Sequence, residues 1–142
     1  MTALAADRSD LRQREGSIRG FKVVGSDIIY KGAVVAVDAN GFLVPIGDTA
    51  ALSHAQGVST EKYDNSAGSS GDLKARVQSG ISVNLKCSSA TQAWVGRTVC
   101  AVDDQTVALP ATTTNDRNVG VVQELVSASE VIVFIPLGGY GG

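Results

Sequence analysis

The residues with chemistry to offer are few and poorly placed for it. The chain holds one histidine, His54, preceded by Ser53. A Ser–His–Asp relay would have to use it, but Ser53 is merely its neighbour in a strand-like stretch, and no nucleophile-elbow pattern surrounds any serine. A lone histidine in such a setting reads as structural. Zinc needs three or four Cys or His ligands, and Cys87, Cys100 and His54 are too scattered to supply them. Asp38-Ala39-Asn40-Gly41 opens like a calcium loop but lacks the later Asp and the closing Glu. A hairpin turn accounts for it, and Asp103-Asp104 reads as a turn as well. Gly138-Gly139-Tyr140-Gly141-Gly142 is glycine-rich, yet no helix follows to complete a phosphate cradle. It reads as a flexible tail, with Tyr140 as a contact residue. The expectation is a protein that is not an enzyme and carries no metal or cofactor, because convergent titratable groups are missing.

The elements that would hold any site are short and β-like. With 142 residues the chain suits one domain that buries a core without disulfides or metal. Aromatics make up 5%. Val and Ala dominate the apolar residues instead, and Val favours a pleated, half-buried surface. Sixteen glycines against three prolines indicate many tight turns. No apolar run is long enough for a membrane helix, and the first 20 residues lack the apolar core of a signal peptide. The expected site of synthesis and folding is the cytoplasm, where the two cysteines stay free thiols.

Charge divides the chain. Residues 1–22 carry five basic side chains (Arg8, Arg12, Arg14, Arg19, Lys22) against Asp7, Asp10 and Glu15, while the remainder is acidic and the net charge is −2. The basic start has no interleaved aromatics, which argues against nucleic acid. Residues 1–20 therefore read as an arm, with Leu4, Leu11 and Ile18 spaced seven apart and glycines at 16 and 20 interrupting any long helix.

Residues 21–137 read as a single β domain, and 138–142 as the tail. Strands are expected at Val23-Val24, Ile28–Tyr30, Ala33–Val37, Phe42–Val44, His54–Thr60, Leu73–Gln78, Ile81–Cys87, Val99–Val102, Thr106–Leu109, Val119–Leu125 and Glu130–Ile135. Ile81, Val83, Leu85 and Cys87 alternate with Ser82, Asn84 and Lys86, the signature of a strand with one face buried. Asn40-Gly41 is a strong hairpin turn. Residues 64–72 (Asp-Asn-Ser-Ala-Gly-Ser-Ser-Gly-Asp) read as a flexible loop, and one helical turn is expected within Ser89–Trp94. The fold class is mostly β, a small barrel or sandwich of tulip-like shape with an extended N-terminal arm. A weak repeat links Gly32–Asp38 to Gly96–Asp103. Each is followed by a turn, a short strand, a proline (Pro45, Pro110) and a Gly-Val strand (Gly57-Val58, Gly120-Val121). It reads either as a duplication or as two hairpins of similar chemistry.

The ordered combination of "RQREGSIRGFKV", "IYKGAVVAVDANGFLVPIGDT", "GVSTEKYDNSAGSSGDLKARVQSG" and "VGRTVCAVDDQTVAL" resembles the head-decoration, or capsid cement, proteins of tailed bacteriophages. The resemblance spans roughly residues 14–125 and rests on the order of segments, each of which is ordinary turn-and-strand vocabulary. It implies a structural virion protein on the outer capsid surface that binds major capsid protein subunits, with no catalysis, no cofactor, no nucleic-acid partner and no membrane. It also implies a homo-oligomer, with a trimer favoured. Under that reading the capsid-binding residues of the arm are Leu4, Leu11, Arg12, Arg14, Ile18, Arg19 and Phe21. The alternative is a receptor- or carbohydrate-binding β module of a virion fibre, which would expect exposed aromatics for stacking on sugars.

Overall fold

The computed structural model describes residues 17–139, and they form a mostly-β body. The first sheet holds β1 (Ile18–Lys22), β3 (Val34–Val37), β4 (Leu43–Pro45), β5 (Gly57–Ser59) and β7 (Lys74–Gln78) in the order β1-β7-β5-β3-β4. The second holds β8 (Ile81–Lys86), β9 (Thr98–Ala101), β10 (Val107–Ala108), β11 (Asn118–Ser127) and β12 (Glu130–Ile135) in the order β8-β12-β11-β9-β10. A two-stranded ribbon pairs β2 (Ile28–Ile29) with β6 (Tyr63–Asp64). A single 3-10 turn, Gln92–Trp94, falls inside the expected helical stretch.

The expected strands are present, most of them shortened at the ends. Val23-Val24 is an exception: Val23 makes an isolated parallel bridge to Leu43. That bridge brings the end of β1 against β4 at the far edge, so the first sheet curls towards closure. Lys86 bridges Thr106 in the same sense and curls the second. The hairpin turn at Asp38 forms as expected. Its Oδ1 accepts from the backbone N–H groups of Asn40 (2.9 Å) and Phe42 (3.0 Å), and Gly41 takes the positive φ of 84° that the turn needs.

The repeat seen faintly in the sequence is plain in the sheets. Both have the same strand order, and their pairings correspond position by position. Val35 faces Gly57 in the first sheet, and Val99 faces Gly120 in the second. Ala36 faces Val44, and Cys100 faces Ala108. Phe21 faces Ala75, and Leu85 faces Val131. The close approaches repeat as well. A Cβ on Gly57 would meet the Gln78 carbonyl and a Val77 methyl, and one on Gly120 would meet the Phe134 carbonyl and a Val133 methyl. Two unrelated hairpins would not share a five-strand register, so the repeat is one of whole sheets.

Two cores follow from the alternation of side chains across strands. Val35 points into a cluster with Val23, Ile29, Leu43, Ala75 and Val77. Val34 and Ala36, on the opposite face of β3, join the larger cluster that includes Leu85, Val99, Ala101, Val131 and Val133 of the second sheet. β3 is thus buried on both faces, which is why it reads as an unbroken Val/Ala run. The halves are also tied by hydrogen bonds. Asp48 Oδ1 and Oδ2 accept from the N–H groups of Asn115 and Thr114, and Val34 N–H donates to Asp104 O.

Two expectations are corrected. The segment 64–72 is not a loose loop. Asn65 is 3% exposed, and its Nδ2 donates to the carbonyls of Val24 (2.9 Å) and Ser69 (3.0 Å). Ser70 Oγ accepts from Gly25 N–H, and Gly71 N–H donates to Val23 O. A polar Gly/Ser composition permits such a loop to be fixed as readily as free, because its side chains and backbone are all hydrogen-bonding groups. The arm boundary also moves: β1 begins at Ile18, so residues 18–20 belong to the sheet.

Candidate attachment surface

Of the proposed arm residues, Leu4, Leu11, Arg12 and Arg14 lie outside the described residues. Ile18, Arg19 and Phe21 lie on β1, an edge strand of the first sheet. Alternation splits them. Ile18 is 41% exposed and faces outwards. Phe21, on the other face, packs against the core of Val23, Leu43 and Val77. Arg19 shares that face and lies over the Phe21 ring, 5.0 Å from its centroid. Its Nη2 donates to Gln56 O (2.9 Å) and to Gln56 Oε1 (3.1 Å). Partial burial draws the guanidinium pKa down. Arg19 and Phe21 are therefore engaged in holding β1 to the body. Ile18 is the one of the three whose side chain the fold leaves exposed.

The corner where β1 begins gathers both ends of the described chain. Ser79 N–H donates to Ser17 O (2.8 Å), and Gly138 N–H donates to Ser79 Oγ (2.7 Å). Leu137, at 62% exposed, lies beside Gly80, and Gly139 abuts the backbone of Ala55 and Gln56. The first two glycines of the expected tail are thus packed on the body, and the rest lies outside the described residues. This convergence was not legible in the sequence, because it depends on β12 ending next to the β7–β8 turn.

The chemistry-bearing residues are occupied structurally. His54 Nδ1 accepts from Asn118 N–H (2.9 Å), so it helps join the halves. Ser53 Oγ donates to His54 O and accepts from Val37 N–H, so it ties the His54 backbone to the end of β3. Both cysteines are free and buried, and burial is the leading cause pushing each thiol pKa up. Among the described residues no group of His, Cys, Asp and Glu is arranged to hold a metal ion, and no helix is long and apolar enough to cross a membrane. Tyr30 is 55% exposed with Lys62 over its ring, whereas Trp94 is 8% exposed at the edge of the larger core.

No protein-family model matches the chain, and no curated protein matches it.

Proposed function

We propose that this chain is a structural decoration protein of a tailed-phage head, attached to major capsid protein subunits on the outer surface. The observation that carries the reading is the joining of a charged N-terminal segment to a rigid double-sheet body through an edge strand. The ordered segments that resemble capsid cement proteins add to it. A body fastened by two cores and by bonds between its halves can span neighbouring subunits without deforming. The first 16 residues then act as the latch, with Leu4 and Leu11 as apolar anchors and Arg12 and Arg14 facing acidic capsid groups. Fixing the backbone of one residue costs about 1–2 kcal/mol in conformational entropy. Burying an anchor returns about 1.5–3 kcal/mol, so backbone hydrogen bonds to the partner must supply the balance, as in strand addition.

The test is co-sedimentation with undecorated capsid shells. Full-length protein should bind, and binding should weaken as salt rises, since exposed ion pairs are screened. A chain lacking residues 1–16 keeps β1 whole, so it should remain folded and lose binding. Full binding by that truncated chain would move the interface to the β body. The favoured trimer is checked separately by the mass from light scattering.

A further inference from the structure

The two sheets share one register, so a pair of facing residues in one has a counterpart in the other. Phe21 faces Ala75 as Leu85 faces Val131. One step along, Lys22 faces Lys74 and Lys86 faces Glu130. The second half therefore sets a carboxylate across from its lysine, and the first half sets a second cation there.

The like-charged pair stands where strands bring side chains closest. Val23 N–H donates to Leu73 O and Ser79 N–H donates to Ser17 O, so the ladder bonds of β1 fall on its odd-numbered residues. Lys22 and Lys74 lie between those bonds, in the kind of pair whose side chains are nearer together. Like charges directly opposite one another destabilise a sheet, and opposite charges stabilise it. Arg76 is exposed on the same face, as are Lys22 and Lys74. The remaining residues of β1 and β7 on that face are Ile18, Gly20 and Gln78, so neither strand offers a carboxylate there. Lys74 lies across β1 where Gly20 leaves room, since a Cβ on Gly20 would stand 2.6 Å from the Lys74 Cε. The same face of the sheet carries Val34 and Val58, which pack on the second half, and it comes into solvent at β7 and β1. A lysine on an edge strand guards against unwanted pairing, and Lys22 alone would do that. β7 lies between β1 and β5, so the guarding role does not account for Lys74 and Arg76.

We propose that the exposed face of β1 and β7 docks on a carboxylate-bearing surface of the capsid subunit, which sets against Lys22, Lys74 and Arg76 the charge that Glu130 sets opposite Lys86. The source of the carboxylates rests on the decoration reading above, and their chemistry rests on the shared register. β1 continues directly from the first 16 residues, so latch and face reach the same partner. The unopposed cations cost the free body stability and supply attraction and steering on docking.

Lys74→Glu installs the charge of the second half and tests both consequences. Its melting temperature should rise, because the facing pair becomes one of opposite sign. Its co-sedimentation with undecorated shells should weaken by about tenfold or more, with a shallower dependence on salt, because reversal removes an attraction and adds a repulsion. Lys74→Gln should fall between the two chains in both respects. Equal shell binding by the unaltered and Lys74→Glu chains would overturn the face and leave the decoration reading. Absence of shell binding by the unaltered chain would overturn the decoration reading and the capsid source together. Retention of that chain on immobilised polyglutamate, lost in Lys74→Glu, would still support the carboxylate chemistry, and equal retention of both would overturn it. A lower melting temperature for both variants would mean that a carboxylate of this chain already serves Lys74, and would overturn the partner. A mass by light scattering that falls in Lys74→Glu would assign the face to a second copy, and stronger retention on immobilised DNA than on polyglutamate would assign it to nucleic acid; either result overturns the capsid partner.

Discussion

Asn65 shows how one side chain can fix a segment that composition alone marks as loose. Its amide closes on the Val24 and Ser69 carbonyls, and its own carbonyl accepts from Ser26 N–H. Asn65→Ala leaves buried acceptors unpaired, at about 1–3 kcal/mol of stability. The urea midpoint should fall accordingly, with the slope unchanged. The aspartates give a second, pH-dependent expectation. Backbone hydrogen bonds from Thr114 and Asn115 hold the Asp48 pKa below its usual value, the Ser66 hydroxyl and N–H do so for Asp64, and Thr113 Oγ1 and Ala111 N–H do so for Asp116. A carboxylate with a depressed folded pKa contributes stability above its unfolded pKa of about 4, and that stability is lost as pH falls through the folded value. Asp104 has the opposite sign: burial raises its pKa, so it favours the fold at low pH and loses that contribution as pH rises. Among the described carboxylates three depressed groups outnumber one raised group, so urea midpoints should drop below pH 4, and Asp48→Asn should flatten the drop. The thiols of Cys87 and Cys100 should resist a thiol reagent in the native protein and react at once in urea.

Elements here are defined by where the backbone can approach. Gly57, with φ of 151°, and Gly120 occupy the same place in the two sheets, each against a carbonyl of the neighbouring strand. Ala at either position must push two strands apart, at a cost of about 1–3 kcal/mol. Thermal melts should show a loss for both Gly57→Ala and Gly120→Ala, larger at Gly57, where the positive φ adds backbone strain to the same close contact, and an equal loss would mean that the contact alone sets the cost. The 64–72 segment also behaves as an element. A peptide inserted after Ser69 separates the Ser69 carbonyl from Ser70 Oγ, and so cannot satisfy Asn65 and Gly25 together. Such an insertion should lower the melting temperature, and an unchanged melt would show that the cross-links contribute little.

The whole molecule repeats one five-stranded design, and its geometry makes the order of the halves exchangeable. Ser17 and Gly138 both bond to Ser79, at the junction of the two sheets. A linker of about four residues, spanning roughly 13 Å, can join the end of β12 to the start of β1. New ends opened between Ser79 and Gly80 would then place the second half first. This permuted body should keep the same circular dichroism, since no core side chain is removed, but melt below the parent, since the cut falls beside Ser79, which is 1% exposed and bonded to both Ser17 and Gly138. Failure to fold would mean that the covalent order of the halves is needed to nucleate one sheet on the other.

From its residues alone the chain declared a mostly-β body, the Asp38–Gly41 turn, the alternating β8 and a charged N-terminal segment. Each of these is a local pattern, carried by side-chain period or by a turn that closes within a few residues. Membership of β1 in the sheet, the fixing of residues 64–72 by Asn65 and the engagement of Arg19 with Gln56 were decided by groups more than 35 positions away in the chain. The repeat lies between these cases. Its sequence trace is faint because a β register is set by backbone pairing, which many side chains satisfy, while the glycines at 57 and 120 persist where a Cβ would strike a carbonyl.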